Sequence, residues 1–249
     1  MYSVPATSKT PALVIYLLDV SGSMGENFSS TTRVGAVTQA LQKVAVNMVR
    51  RSTKGAIVAP RYRVAMFAYS SQTIDLLGGI KTIDELAKMG VPQLQTLDMT
   101  DTAAAFAAAE SLLKAELPNM QDCPAPLVCH MTDGEYNGGD PTPIVQRIMN
   151  MEVPDGKVLV ENIFVKTGVG VPDPHTWPGI TSASQLPDSY SQALFEMSSP
   201  IPDLYRTVMA EYGYKLDPAA RMFFPAENPE IVELGFAMSG ATPTTAAPT

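Results

Sequence analysis

Two apolar runs in this chain each stop at an aspartate, and that repetition constrains the fold more than any other feature. Ala12-Leu-Val-Ile-Tyr-Leu-Leu18 leads into Asp19, and residues 127–132 lead into Asp133. Neither run alternates apolar with polar residues, so both faces of each strand must be covered, as in a parallel sheet between helical layers. A helix follows the first run. From Thr31 or Thr32, either of which can cap it, Val34, Val37, Leu41, Val44, Met48 and Val49 recur at helical spacing, and Arg50 and Arg51 suit a helix C-terminus.

The alternation continues along the chain. Residues 61–69 read as a strand, and Ser70-Ser-Gln72 reverses it into an antiparallel edge strand over 73–77, closed by Gly78-Gly79. A short helix over 83–89 and an alanine-dominated helix over 102–117 precede the second buried run, and the alanines let that helix approach a sheet closely. Asp140-Pro141 offers an N-cap and a first-turn proline for a helix through 149, followed by a strand over 158–165. Helices are expected over 190–198 and 203–212, while 231–238 fits either a last strand or a short helix.

This order gives an α/β fold: a Rossmann-like, doubly wound, mostly parallel sheet with one antiparallel edge strand and helices on both faces. The expected organisation is an N-terminal extension (1–11), one domain (12–240) and a disordered tail of Ala, Thr and Pro (241–249). Within the domain, 166–189 has no periodicity. It is expected as a long loop leaving the strand ends on the same side as Asp19 and Asp133.

At 249 residues with 45% apolar composition, the chain can bury one substantial core. Lys and Arg total 17 against 25 Asp and Glu, a net charge of -8, and no basic run relieves it, which excludes nucleic acid as the expected partner. Cys123 and Cys129 make neither a disulfide framework nor a zinc site. No export signal or membrane span is read in the sequence, and the expected setting is a reducing cytoplasm.

The chemistry-bearing feature is Asp19-Val-Ser-Gly-Ser23 at the end of the first strand, with Thr100 ahead of a helix and Asp133 at the end of a later strand. In open α/β sheets ligands bind beyond the carboxyl ends of the strands, so these positions can converge. The donors are all hard oxygens, two carboxylates and three hydroxyls. Such a set suits Mg2+, with Mn2+ or Ca2+ as alternatives, and is wrong for zinc.

Here the chain resembles the von Willebrand factor A (VWA) family, whose metal-ion-dependent adhesion site follows Asp-x-Ser-x-Ser, then Thr, then Asp. The matching positions are Asp19, Ser21 and Ser23, Thr100 within Met-Thr-Asp-Thr, and Asp133 within Met-Thr-Asp-Gly-Glu. The likeness spans about residues 13–165 and is nearest to cytosolic bacterial members of the tellurium-resistance type. It implies a non-catalytic, Mg2+-dependent module in a bacterial signalling or stress-response assembly. The open position of its metal would take an Asp or Glu from a protein partner, with neither nucleic acid nor membrane involved. An acidic protein can bind an acidic side chain in that way.

Other residues admit competing readings. Asp101 and Glu135 flank the proposed ligands and either tune the metal or are surface carboxylates beside a turn. His130 reads as a packed core residue. Trp177, with His175, either contacts a partner or pins the long loop. The catalytic alternative is a Mg2+-dependent phosphatase or phosphotransferase with Asp19 as nucleophile, resembling the haloacid dehalogenase family. That family carries a second aspartate two residues on as general acid, and Ser21 stands there instead. No G-x-S-x-G elbow, P-loop or placed G-x-G-x-x-G fingerprint supports a serine hydrolase or a nucleotide-binding site.

Overall fold

The computed structural model describes residues 2–97, 99–134, 136, 138–166 and 173–244. Its elements are β1 (Ala12–Asp19), α1 (Arg33–Ser52), β2 (Tyr62–Tyr69), β3 (Thr73–Asp75), β4 (Lys81–Thr82), α2 (Ile83–Met89) and α3 (Thr102–Glu116). There follow β5 (Leu127–Thr132), α4 (Thr142–Asn150), β6 (Leu159–Val165), α5 (Ser189–Glu196), α6 (Asp203–Glu211), β7 (Phe223–Ala226) and α7 (Pro229–Ser239). Three two-residue hairpins decorate the loops.

The elements make one seven-stranded sheet in the order β7-β6-β5-β1-β2-β3, with β4 also on β2. β1, β2, β5, β6 and β7 run parallel, and β3 and β4 pair antiparallel with β2. The expected antiparallel edge is therefore present, broken into two short segments that pair in succession along β2. From β1 the chain winds first toward β2 and later toward β5, so the strand order reverses beside β1. Such a reversal opens a crevice at the carboxyl ends of the two strands, where Asp19 and Asp133 lie.

Every residue of β1, β5 and β6 is buried. Tyr16 packs against Phe236 of α7 on one face, and His130 against Phe106 of α3 on the other. The helices start where local chemistry allows. Thr32 accepts from the Gly35 N–H to cap α1, Thr82 and Glu85 form a capping box on α2, and Asn228 caps α7. Gly235 lets α7 sit directly on β6, because a Cβ there would meet the Ile163 side chain at 2.7 Å. The segment that fitted either a strand or a helix is thus α7.

Phe223–Ala226 is an edge strand that the sequence reading missed; its Pro225 is tolerated because an edge strand leaves one side unpaired. Residues 241–244, expected in a disordered tail, are packed: Ala241 and Thr242 are buried, the Thr242 hydroxyl bonds the Tyr205 hydroxyl at 3.0 Å, and Thr244 bridges to Ala6. Residues 245–249 lie outside the described residues. The N-terminal extension is also tied down, since Ser3 and Val4 N–H groups both donate to Asp155 Oδ1, at 2.7 and 2.9 Å.

The long loop departs from its expected course. Residues 167–172 lie outside the described residues, but from Asp173 the chain runs along β7 toward its amino end. Asp217 N–H donates to the Pro178 carbonyl and Arg221 N–H to that of Ile180. Trp177 is buried with its ring edge-on to Phe224, and His175 stacks on Tyr214. Trp177 therefore pins the loop to the body of the domain.

His130 is the core residue expected of it. Its Nδ1 lies 2.7 Å from Asn162 Oδ1 and its Nε2 lies 2.7 Å from the Tyr69 hydroxyl. Asn162 Nδ2 donates to the Leu194 and Met197 carbonyls and to the Ser198 hydroxyl, which fixes the amide so that Oδ1 can only accept. His130 Nδ1 therefore carries the proton, and Nε2 accepts from Tyr69. Burial pushes the imidazole down to about 4.

A pH-dependent contribution follows. Between about 6.5 and about 4 the unfolded chain binds a proton at this position that the folded chain refuses, so His130 removes stability as pH falls. The loss amounts to about 3 kcal/mol. Urea unfolding of the parent and of His130→Gln, which cannot titrate, should give a stability difference that shifts by that amount between pH 7 and pH 4. Parallel profiles would show that the imidazole does not titrate in this window.

Candidate metal centre

The site is built on the ends of β1 and β5. Asp19 closes β1 fully buried, and the chain then breaks from the sheet into a 3-10 turn at Gly22–Gly25. That turn folds Ser21 back so that its N–H donates to Asp19 Oδ1 at 2.8 Å. The Ser21 and Ser23 hydroxyls lie 3.2 Å apart, and Ser23 donates to Asp133 Oδ1 at 2.9 Å. Asp19, Ser21, Ser23 and Asp133 therefore form one continuous hydrogen-bonded chain.

Thr100 is buried on a loop anchored beside the same strand ends. The Leu97 N–H donates to the Val20 carbonyl at 2.6 Å and the Asp101 N–H to that of Ser70 at 2.7 Å, which ties Leu97 beside the end of β1 and Asp101 beside the end of β2. Between those anchors Met99 is held at φ 63°, a left-handed angle that costs a residue with a Cβ about 1 kcal/mol or more. The loop after β5 closes in from the other side. A Cβ on Gly138 would stand 2.9 Å from Asp101 Oδ1, so glycine there allows the approach without displacing the Asp101 side chain. Asp101 itself caps α3 by accepting from the Ala104 N–H, so its carboxylate serves the helix. Glu135 lies outside the described residues.

Four neighbours that sequence reasoning did not single out complete the site. The Thr132 hydroxyl donates to Asp19 Oδ2 at 2.7 Å. Arg33, the first residue of α1, donates from Nη1 to Asp133 Oδ2 at 2.7 Å and to the Ser23 carbonyl at 3.1 Å, while Nη2 lies 3.0 Å from Glu26. Tyr190, at the start of α5, stands beside Thr132 and Asp19 with its ring against Phe164. Tyr69 lies beneath them. Thr132 carried a signal, since it sits next to Asp133 and ends a buried strand with a hydroxyl. Arg33 also had one, as the only charge on the first turn of α1.

The two carboxylates are treated differently. Asp133 has a cation, whereas the described residues place no ion-pair partner on Asp19. Burial dominates there and pushes the Asp19 carboxyl up to about 6, against hydrogen bonds from Ser21 and Thr132 that pull it down; the charge of Asp133 adds a smaller upward push. A buried carboxylate held by hydroxyl and amide dipoles alone is the kind of group a divalent cation would satisfy. The described residues contain no cluster of three or more His, Cys, Asp or Glu placed to hold a metal, so the candidate donors are two carboxylates and three hydroxyls. These oxygens fit Mg2+, Mn2+ or Ca2+.

Thr132→Val isolates this balance, because it keeps the shape and removes the hydroxyl that donates to Asp19. The variant should lose about 2 kcal/mol of stability at pH 7.5. Its Asp19 carboxyl should titrate above the parent's value of about 6 in a carbon-13 NMR experiment. An unchanged Asp19 titration would remove Thr132 from the site.

Comparison with known proteins bears on both fold and site. No curated protein sequence matches the chain. Among solved structures, the pilus adhesin SpaC from Lactobacillus rhamnosus GG aligns with 91% of this chain and 30% of its own, at 12% identity and a TM-score of 0.58. The PilB minor pilin from Streptococcus sanguinis aligns with 92% of this chain and 60% of its own, at 10% identity and a TM-score of 0.55. BatB from Bacteroides thetaiotaomicron is 20% identical over 66% of this chain and 71% of its own, with a TM-score of 0.46. At these identities the likeness to SpaC and PilB is one of fold. Residues 14–135, which carry Asp19, Ser21, Ser23, Thr100 and Asp133, match the family model of the von Willebrand factor type A domain, and the mostly parallel sheet between helical layers is consistent with that family's fold.

Proposed function

We propose that this protein is a Mg2+-dependent protein-binding module whose metal site captures a carboxylate of its partner. The observation that carries the reading is the unbroken hydrogen-bonded chain Asp19, Ser21, Ser23, Asp133 at the reversal of strand order, made only of oxygen donors and abutted by the Thr100 loop. Domains of the VWA type commonly mediate protein–protein interaction. Asp19, Ser21, Ser23, Thr100 and Asp133 would hold the ion, which when bound supplies a positive centre for an Asp or Glu side chain.

The chain's own residues supply the rest. Ser21 and Thr132 keep Asp19 ionised despite its burial, and Ser23 orients Asp133. A local positive centre is what lets a chain of net charge -8 attract an acidic group. Free, buried thiols at Cys123 and Cys129 are compatible with the reducing cytoplasm expected from the sequence, and the described residues contain no helix long and apolar enough to cross a membrane.

The phosphotransfer alternative fares worse at Asp19. Both carboxylate oxygens already accept hydrogen bonds, the residue is fully buried, and Ser21 cannot protonate a leaving group.

Calorimetric titration with Mg2+ should give one binding event that Asp19→Ala and Asp133→Ala each abolish, and a partner captured in Mg2+ should be released by EDTA. Absence of any divalent-ion binding would defeat the reading. So would Mg2+-dependent phosphatase turnover lost in Asp19→Asn.

A further inference from the structure

Arg33 already draws on a carboxylate that a cation at this site would use. Its guanidinium Nη1 is 2.7 Å from Asp133 Oδ2, and the other Asp133 oxygen accepts from Ser23. The Asp133 side chain is 1% exposed and that of Arg33 11%, so this pair is shielded from water rather than spread over the surface. The local fold fixes the arginine. A two-residue hairpin pairs Asn27 with Thr32, and the Arg33 N–H continues that ladder to the Glu26 carbonyl at 3.1 Å. Glu26, 63% exposed in its side chain, then takes Nη2 at the rim. The guanidinium therefore bridges a buried acid and an exposed one. Its Nε is buried with no hydrogen-bond partner, a cost the two ion pairs have to offset.

We propose that Arg33 is a built-in competitor for the divalent cation, an inference that rests on the metal-site reading above. Without the ion it neutralises Asp133. With the ion present, two positive charges draw on the same carboxylate, and each weakens the other's hold. Loading of the site detaches Arg33 from Asp133 and leaves it on Glu26 and the Ser23 carbonyl. The site thus has a lower metal affinity than its five oxygen donors would give alone, and metal occupancy becomes easier to reverse.

Mg2+ and Mn2+ affinities of three forms test this: the parent, Arg33→Gln and Arg33→Lys. Removing the charge should tighten binding on the order of tenfold. Arg33→Lys, which keeps the charge, should stay within about threefold of the parent. Mg2+ should also raise the thermal midpoint of Arg33→Gln more than that of the parent. Equal or weaker binding by Arg33→Gln would overturn the proposal and make Arg33 a positioning residue for Asp133, and so would Arg33→Lys binding as tightly as Arg33→Gln. A measurement on the parent alone does not depend on how any variant folds: the Arg33 side-chain nitrogen resonances should shift as Mg2+ saturates the site, and a guanidinium still fixed on Asp133 at saturation would equally defeat it. If neither parent nor Arg33→Gln binds either ion, the metal-site reading itself falls; if both bind alike, only the role of Arg33 does.

Discussion

The rest of the site is arranged around the burial of two carboxylates at the ends of adjacent parallel strands. β1 pairs with β5 up to Leu18 and Met131, so Asp19, the last residue of β1, and Asp133, the first past the end of β5, lie at the same end of the sheet. Asp19 and Asp133 are both buried there. An ionised carboxylate in such a place must be paid for by hydrogen bonds or by a counter-charge. Ser21, Ser23, Thr132 and Arg33 are the residues that do so, and each acts on one identifiable oxygen.

The two acids receive different compensation because they are reached by different parts of the chain. Asp133 faces the start of α1, which delivers Arg33 from a hairpin held in backbone register. Asp19 is deeper, enclosed by its own following turn and by Thr132 on the neighbouring strand. Among the described residues its hydrogen bonds come from neutral groups, and burial pushes its carboxyl up to about 6. An external positive charge would therefore act most strongly on Asp19. The sheet beneath is poorly suited to yielding. His130, Asn162 and Tyr69 are locked in a buried hydrogen-bonded set that ties β2, β5 and β6 together below the acids.

Much of this was legible in the sequence because it depends on strong local signals. The two apolar runs ending in aspartate are β1 and β5, the helical spacing from Val34 is α1, and Thr32 caps it. What was not legible depends on contacts remote in sequence. Phe223–Ala226 is short and contains a proline, so nothing in its own four residues marks it as the sheet edge that β6 makes it. Residues 241–244 have a tail-like composition and are ordered by Ala6, Tyr205 and Arg51. Trp177 was read between two roles because loop length says nothing about direction; the backbone bonds to 217 and 221 decide it. Tyr190, an aromatic that does stand beside Asp19, lies in the first turn of a helix, where nothing local marks it.

The floor and rim of the site differ in how firmly they are held. Asp19 and Thr132 lie on strands hydrogen-bonded on both sides. Ser21 and Ser23 lie on a single 3-10 turn, and Thr100 on a loop anchored at Leu97 and Asp101 with Met99 in a left-handed angle between. A change in what occupies the mouth therefore falls first on the hydroxyl donors. Strain at Met99 adds to this, since any movement that lets it return to an ordinary angle is favoured by the energy already stored there. Under the proposed reading, exchange of a partner's acid group would be accommodated by Ser21, Ser23 and Thr100, while Asp19 and the strand floor hold their places.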